Sequence, residues 1–114
     1  MSSGNLPSKE VEEAIEDVAR MIHSFVRCQM YSFADRLANA TGKEVVQAAL
    51  YEALRIARSA EATGELCEGV RPYIAREDSI RALLEELDKD LVKGLELVRK
   101  IAIRALTFPP KTQT

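Results

Sequence analysis

The sequence predicts an all-α fold: an antiparallel helical bundle of three long helices, at about 8–39, 43–62 and 79–107, with a short helix or turns in 63–77. Three observations lead there. Apolar residues recur at spacings of three and four along most of the chain, the period of one helix face. No segment alternates with the period of two that a half-buried strand needs. The breaks are few and brief, and long helices joined by short turns pack side by side.

The first helix begins at Ser8, whose hydroxyl can accept from a free amide of the first turn. Glu10, Glu12, Glu13, Glu16 and Asp17 follow, where acids suit the positive end of the helix dipole. Val11, Ile15, Val18, Ile22, Phe25, Val26, Phe33 and Leu37 make one stripe. "NATG" ends it. Thr41 and Glu44 have the spacing of a capping box, each satisfying an amide at the next helix start. Val46, Ala49, Leu50, Ala53, Ala57 and Ala60 form the second stripe, whose small alanines admit a close neighbour. Thr63-Gly64 closes that helix.

Residues 63–77 carry Gly64, Gly69 and Pro72, yet Leu66, Val70, Tyr73 and Ile74 can share one face. A structureless loop of this length is unusual in a compact domain, so a short helix is expected. The last helix is capped by Asp78 or Ser79. Ile80, Leu83, Leu84, Leu87, Leu91, Leu95, Val98, Ala102 and Ala105 line it, with Glu85–Lys89 and Glu96–Lys100 as acid-before-base pairs. Pro109-Pro110 stops it. The organisation is then a flexible 1–7, a single domain over 8–108 and a flexible tail at 109–114.

At 114 residues the chain makes one domain, large enough for a core without metals. Its net charge of −2 provides no global basic field. No signal peptide and no apolar run long enough to span a membrane occurs, so a cytoplasmic protein is expected. In that setting Cys28 and Cys67 are expected to remain unpaired. Arginine outnumbers lysine and amides are scarce, a bias shared by heat-adapted proteins.

No phosphate loop, dinucleotide fingerprint or nucleophile elbow is present. No cofactor is expected. A zinc site would need several ligands, and His23 is the single histidine. Cys28 lies mid-helix, away from any base, and lacks what activates a thiolate. Carboxylate pairs such as Glu10 with Glu13 and Glu85 with Asp88 leave one catalytic alternative, a Mg²⁺-dependent nucleotide-hydrolysing enzyme. Each pair is better explained as exposed helix surface.

Four groups of polar or exposed residues remain. Gln47, Tyr51, Arg55 and Arg58 share a narrow arc of the second helix, and Arg71 and Arg76 add charge beyond it. Arginines that grip phosphates beside an aromatic that stacks on a base make a nucleic-acid or anion surface. Arg20, His23, Arg27 and Tyr31 form a second, smaller anion patch on the first helix. Gln29 and Arg36 fall on its apolar stripe, where a buried amide needs a partner, so an interface or wet cleft is expected there. Val92 and Ile103 lie just outside the main stripe of the last helix. They fit a subunit contact, and a homodimer would cover the excess length of the first and last helices. The reading is therefore a non-enzymatic helical interaction module, a homo-oligomer or a small subunit of a larger complex, with a nucleic-acid-binding accessory subunit as the alternative.

Overall fold

The computed structural model describes residues 8–108. They form five helices: α1 (Lys9–Arg27), α2 (Ser32–Ala38), α3 (Lys43–Glu61), α4 (Glu77–Lys89) and α5 (Leu91–Thr107). Among the described residues there is no strand, only an isolated bridge between Cys67 and Val70. The all-helical expectation holds, but three long helices become five. The expected flexible ends and the Pro109-Pro110 stop lie outside the described residues.

Ser8 caps α1 as its sequence requires, its hydroxyl accepting from the Val11 amide at 3.1 Å. The helix does not run on to 39. Cys28 is its last cap, and the Gln29 amide donates to the Val26 carbonyl while Met30 reaches back to Phe25, both at 2.9 Å. These are the two reverse bonds of a Schellman ending. The residue that turns the chain is Gln29, at φ 61°, a position usually given to glycine. Gln29 is exposed, so water satisfies the amide that an unbroken helix would have buried. The chain then restarts as α2 and buries Phe33, Ala34 and Leu37.

The helix expected over 79–107 breaks at Asp90, which ends α4 and caps α5, its carboxylate accepting from the Lys93 amide at 3.2 Å. Gly94 makes the elbow tight. A Cβ there would sit 2.7 Å from the Leu87 Cα, so only a hydrogen fits between the two helices. The break also changes which residues are buried. Gly94, Val98, Ile101, Ala102 and Ala105 enter the core, whereas Leu91 is exposed. The expected Glu85–Lys89 and Glu96–Lys100 pairs are not among the observed ones, and Lys89 instead meets Glu86 at 3.5 Å.

Two caps also differ from expectation. α3 begins at Gly42 without a side-chain cap, so Thr41 does not close a capping box. α4 begins after Arg76, a turn earlier than Ser79.

Residues 62–76 form no helix. Val70 donates to the Cys67 carbonyl at 3.0 Å across a four-residue turn. Gly69, third in that turn, has φ 79°, which a side chain would disfavour. The turn presents Cys67 to Cys28, and the two are joined by a disulfide with Cα atoms 5.8 Å apart. This overturns the expectation of unpaired cysteines. Pairing depends on the chain break after Arg27, which frees Cys28 from the helix interior, and on a turn 39 residues away.

α1 packs on α4 and α5, α5 also packs on α2, and α3 packs on α2 and α4. Phe25, Ile15, Met21, Ile22, Leu37, Leu50, Ile80, Leu83 and Ile101 are among the fully buried side chains of one continuous core. A close aromatic pair, Phe25 and Phe33 at 4.8 Å between centroids, joins α1 to α2 across the break.

Two stability measurements probe this description. A 39-residue separation closes a loop whose chain entropy is worth about 4 kcal/mol. Replacing both cysteines by alanine should lower the urea-unfolding free energy by about 2–4 kcal/mol, and reductant should do the same to the native chain alone. Gln29→Gly relieves the left-handed residue at some entropic cost, so it should be as stable as the native chain or more so, by up to about 1 kcal/mol. Gln29→Val, with a branched Cβ, should lose about 1–2 kcal/mol in the same titration.

Candidate nucleic-acid interface

α3 buries Val46, Ala49, Leu50, Ala53, Leu54 and Ala57. The opposite flank carries Gln47, Arg55 and Arg58, all exposed, beside a half-buried Tyr51 packed on the edge of the core. Tyr51, Leu54, Arg55, Arg58 and Ser59 line a shallow groove. Tyr51 packs against the core and remains partly exposed.

The start of α4 closes one side of this face. Arg58 lies 3.9 Å from Glu77, and Arg81 contacts Glu77 at 3.5 Å and Asp78 at 2.7 Å. Arg58, Glu77 and Arg81 are about half exposed and Asp78 more so, and such pairs are worth little in water. Arg58 can therefore leave Glu77 for a stronger anion at small cost. Arg55 belongs to no ion pair among the described residues.

Arg71 and Arg76 do not join this cluster in the same way. Arg71 is exposed in the connection before α4. The Arg76 guanidinium turns to Asp17, 3.6 Å away, and lines a separate groove with Lys9, Glu12, Glu13, Arg20 and Tyr73. The acids there make it a mixed-charge surface.

Asp17 is a polar centre that the periodicity of the sequence does not reveal. Its side chain is 8% exposed. The Tyr73 hydroxyl donates to Oδ1 at 2.5 Å, and the Arg76 amide and Ser79 hydroxyl each donate to Oδ2 at 2.8 Å. Burial alone would raise the pKa of this carboxyl. The hydrogen bonds from Tyr73, Arg76 and Ser79 and the Arg76 charge outweigh that effect, so it is held below the ordinary carboxylate range. The same bond to Asp17, with burial, pushes the Tyr73 phenol up. All of the donors come from residues 73–79, so Asp17 binds the chain to itself.

The second patch does not assemble as a helix face. His23 is half-buried, its Nδ1 donating to the Ala105 carbonyl at 2.8 Å, and its ring stands edge-on to Phe108 at 5.2 Å. It serves the C-terminal end of α5. Arg20 and Arg27 are exposed on α1, but Tyr31 follows the Schellman break and no longer continues their line. Arg36 has its partner within the chain. It donates to Glu52 of α3 at 3.0 Å and lies over the Phe33 ring. Neither Gln29 nor Arg36 is a buried polar group awaiting a partner. Val92 and Ile103 are exposed at 68% and 61%.

Among the described residues, no three His, Cys, Asp or Glu side chains gather as a metal site. Asp88 of the Glu85–Asp88 pair is engaged by Lys43 at 3.0 Å. No helix of the described residues is long and apolar enough to cross a membrane.

Residues 21–108 match the model of the CRISPR-associated protein (Cas_Csa5) family. The chain belongs to this family. The match runs from the middle of α1 through the whole of α5, and so includes the α3 face, the elbow at Asp90 and both cysteines. No curated protein and no solved structure matches the chain.

The Asp17 centre predicts a pH dependence. Its folded pKa is depressed, so its contribution is complete above the unfolded carboxylate pKa of about 4 and is lost as pH falls through the lower folded value. Asp17→Asn keeps the size but faces amide hydrogens toward donors. It should cost about 2–4 kcal/mol at pH 7. The difference from the native chain should narrow below about pH 4 in denaturant titrations across pH.

Proposed function

We propose that this chain is a small, non-enzymatic helical subunit of a CRISPR-associated complex, and that it touches nucleic-acid backbone through the α3 face. The family match across residues 21–108 carries the first half of the reading. The family's association with CRISPR supports the second half when set beside Tyr51, Arg55 and Arg58.

In CRISPR effector complexes, base pairing reads the sequence, and protein surfaces hold the strands by backbone and shape. Such a surface needs fixed positive charges that track phosphates and an aromatic on which any base can stack. The α3 face has that composition. Tyr51 is held by the core, Arg55 is free of ion pairs among the described residues, and Arg58 is restrained only by a 3.9 Å contact to Glu77. Gln47 extends the arc toward the start of α3, where a neutral amide can bond a sugar or base edge. Arg81, beyond the Glu77 contact, supplies a further cation at the border.

Single-stranded DNA and RNA of mixed sequence should bind with strong salt dependence and little sequence preference. Arg55→Glu combined with Arg58→Glu should reduce affinity at least about tenfold at low salt and flatten the salt slope by roughly 0.7 for each phosphate no longer neutralised. Tyr51→Ala should weaken binding while leaving the slope unchanged, because stacking releases no counterions. Fluorescence anisotropy titrations at several salt concentrations read all three. Equal affinity and slope in the double variant would remove α3 from the reading, leaving the complex-subunit half to be tested by co-purification with the other CRISPR-associated proteins of the host.

A further inference from the structure

The outer face of α5 has a pattern that its own chain does not use. Val92, Glu96, Arg99, Ile103 and Leu106 follow one another at spacings of four and three, and so fall on one narrow stripe of the helix. All five are exposed, with Val92 at 68%, Ile103 at 61% and Leu106 at 48%. Glu96 and Arg99 take part in none of the ion pairs among the described residues. The core-facing side of the same helix is already filled, by Val98, Ile101, Ala102 and Ala105.

The order of these residues has a symmetry. Val92 and Ile103 are equidistant from a midpoint between Leu97 and Val98, and so are Glu96 and Arg99. Two copies of α5 laid antiparallel about a two-fold axis through that midpoint would place Val92 of each against Ile103 of the other. The same axis places Glu96 of each against Arg99 of the other. A parallel arrangement in the same register would set Glu96 against Glu96 and Arg99 against Arg99. Charge and apolar character are thus both self-complementary under one operator, the condition an isologous contact must meet.

We propose that a second copy of this chain docks on α5, forming a two-fold, antiparallel helix contact centred between Leu97 and Val98. The proposal goes beyond the nucleic-acid reading and does not depend on it, since α3 packs mainly on α2 and α4. The contact is small. Val92 and Ile103 lie roughly 16 Å apart along the helix. One helix stripe covers well below the roughly 1,200 Å² of a standard stable interface. Self-association is therefore weak and concentration-dependent in isolation.

Sedimentation equilibrium to about 1 mM chain, at low and moderate salt, tests it. The native chain should pass from monomer to dimer over this range. Glu96→Arg alone and Arg99→Glu alone should each remain monomeric, because each juxtaposes like charges twice. An equimolar mixture of the two single variants should form a heterodimer, and the double exchange E96R with R99E should restore the homodimer. Ile103→Asp should weaken dimerisation at least about tenfold. Circular dichroism melts check that these exposed substitutions leave the fold intact. A native chain that stays monomeric to the highest concentration overturns the proposal, as does a dimer that both single reversals leave unchanged. A native monomer whose Ile103→Asp variant drops out of the assembled CRISPR-associated complex also overturns it, and assigns the face to a different subunit.

Discussion

The Asp17 carboxylate decides where the second half of the chain sits. Between Glu61 and Glu77 the backbone has no helix and no ladder to hold it. Two ties fix it instead. The disulfide binds its early part to the end of α1, and Asp17 binds its late part to the middle of α1. Two of the Asp17 bonds also settle the entrance of α4, one from the cap residue Arg76 and one from Ser79 in the first turn. With that entrance fixed, Glu77 and Arg81 arrive beside Arg58, and Leu83, Leu84 and Leu87 reach the core. The polar border of the α3 face is therefore a distant consequence of a buried acid on α1. A charge this deeply placed is tolerated because its lone pairs are filled by oriented donors and a guanidinium stands beside it.

The helices were legible because each buries a stripe, and a stripe leaves a period. The breaks were less so. At Gln29 and Asp90 the local sequence lacks the glycine or proline that marks a helix end, and the apolar period continues across both. What ends α1 is tertiary: the Phe25–Phe33 contact and the bond from Cys28 to Cys67 need the chain to turn there. Asp90 did carry a readable signal, as a capping residue ahead of a fresh apolar run. The longer stripe through Leu87 and Leu91 concealed it. Asp17 was hidden differently. α1 is buried on two sides, and Ala14, Asp17, Met21 and Ser24 form a second stripe beside the first. Three small or polar members made that stripe look like surface.

Residues that look reactive in sequence turn out to close the fold. His23 gives its Nδ1 hydrogen to the end of α5, Arg36 spans from α2 to α3, and Cys28 is consumed in a disulfide. A polar side chain near an apolar stripe has two uses, and geometry separates them. Those three have partners within the chain. Tyr51 and Arg55 form no side-chain hydrogen bond or ion pair among the described residues, and both stand at the surface.

Net charge conceals how those arginines are distributed. The value of −2 does not show that the first turns of α1 are strongly acidic. Glu10, Glu12, Glu13 and Glu16 lie on the first turns of α1, where the helix dipole favours them. Arg55 and Arg58 lie on α3, where Glu52 is taken by Arg36, Glu44 stands at the far end and Glu61 follows Arg58 by three residues. At physiological salt the field of an exposed charge decays within about 8 Å. Near α3 the charges that matter are thus the two arginines together with Glu77, Asp78 and Arg81 at the border. A net charge of −2 provides no global basic field, which leaves local patches to be weighed on their own. Local charge differs from the total: Arg55 has no ion-pair partner among the described residues, while Arg58 and Arg81 share Glu77 and Asp78 at the border of the face.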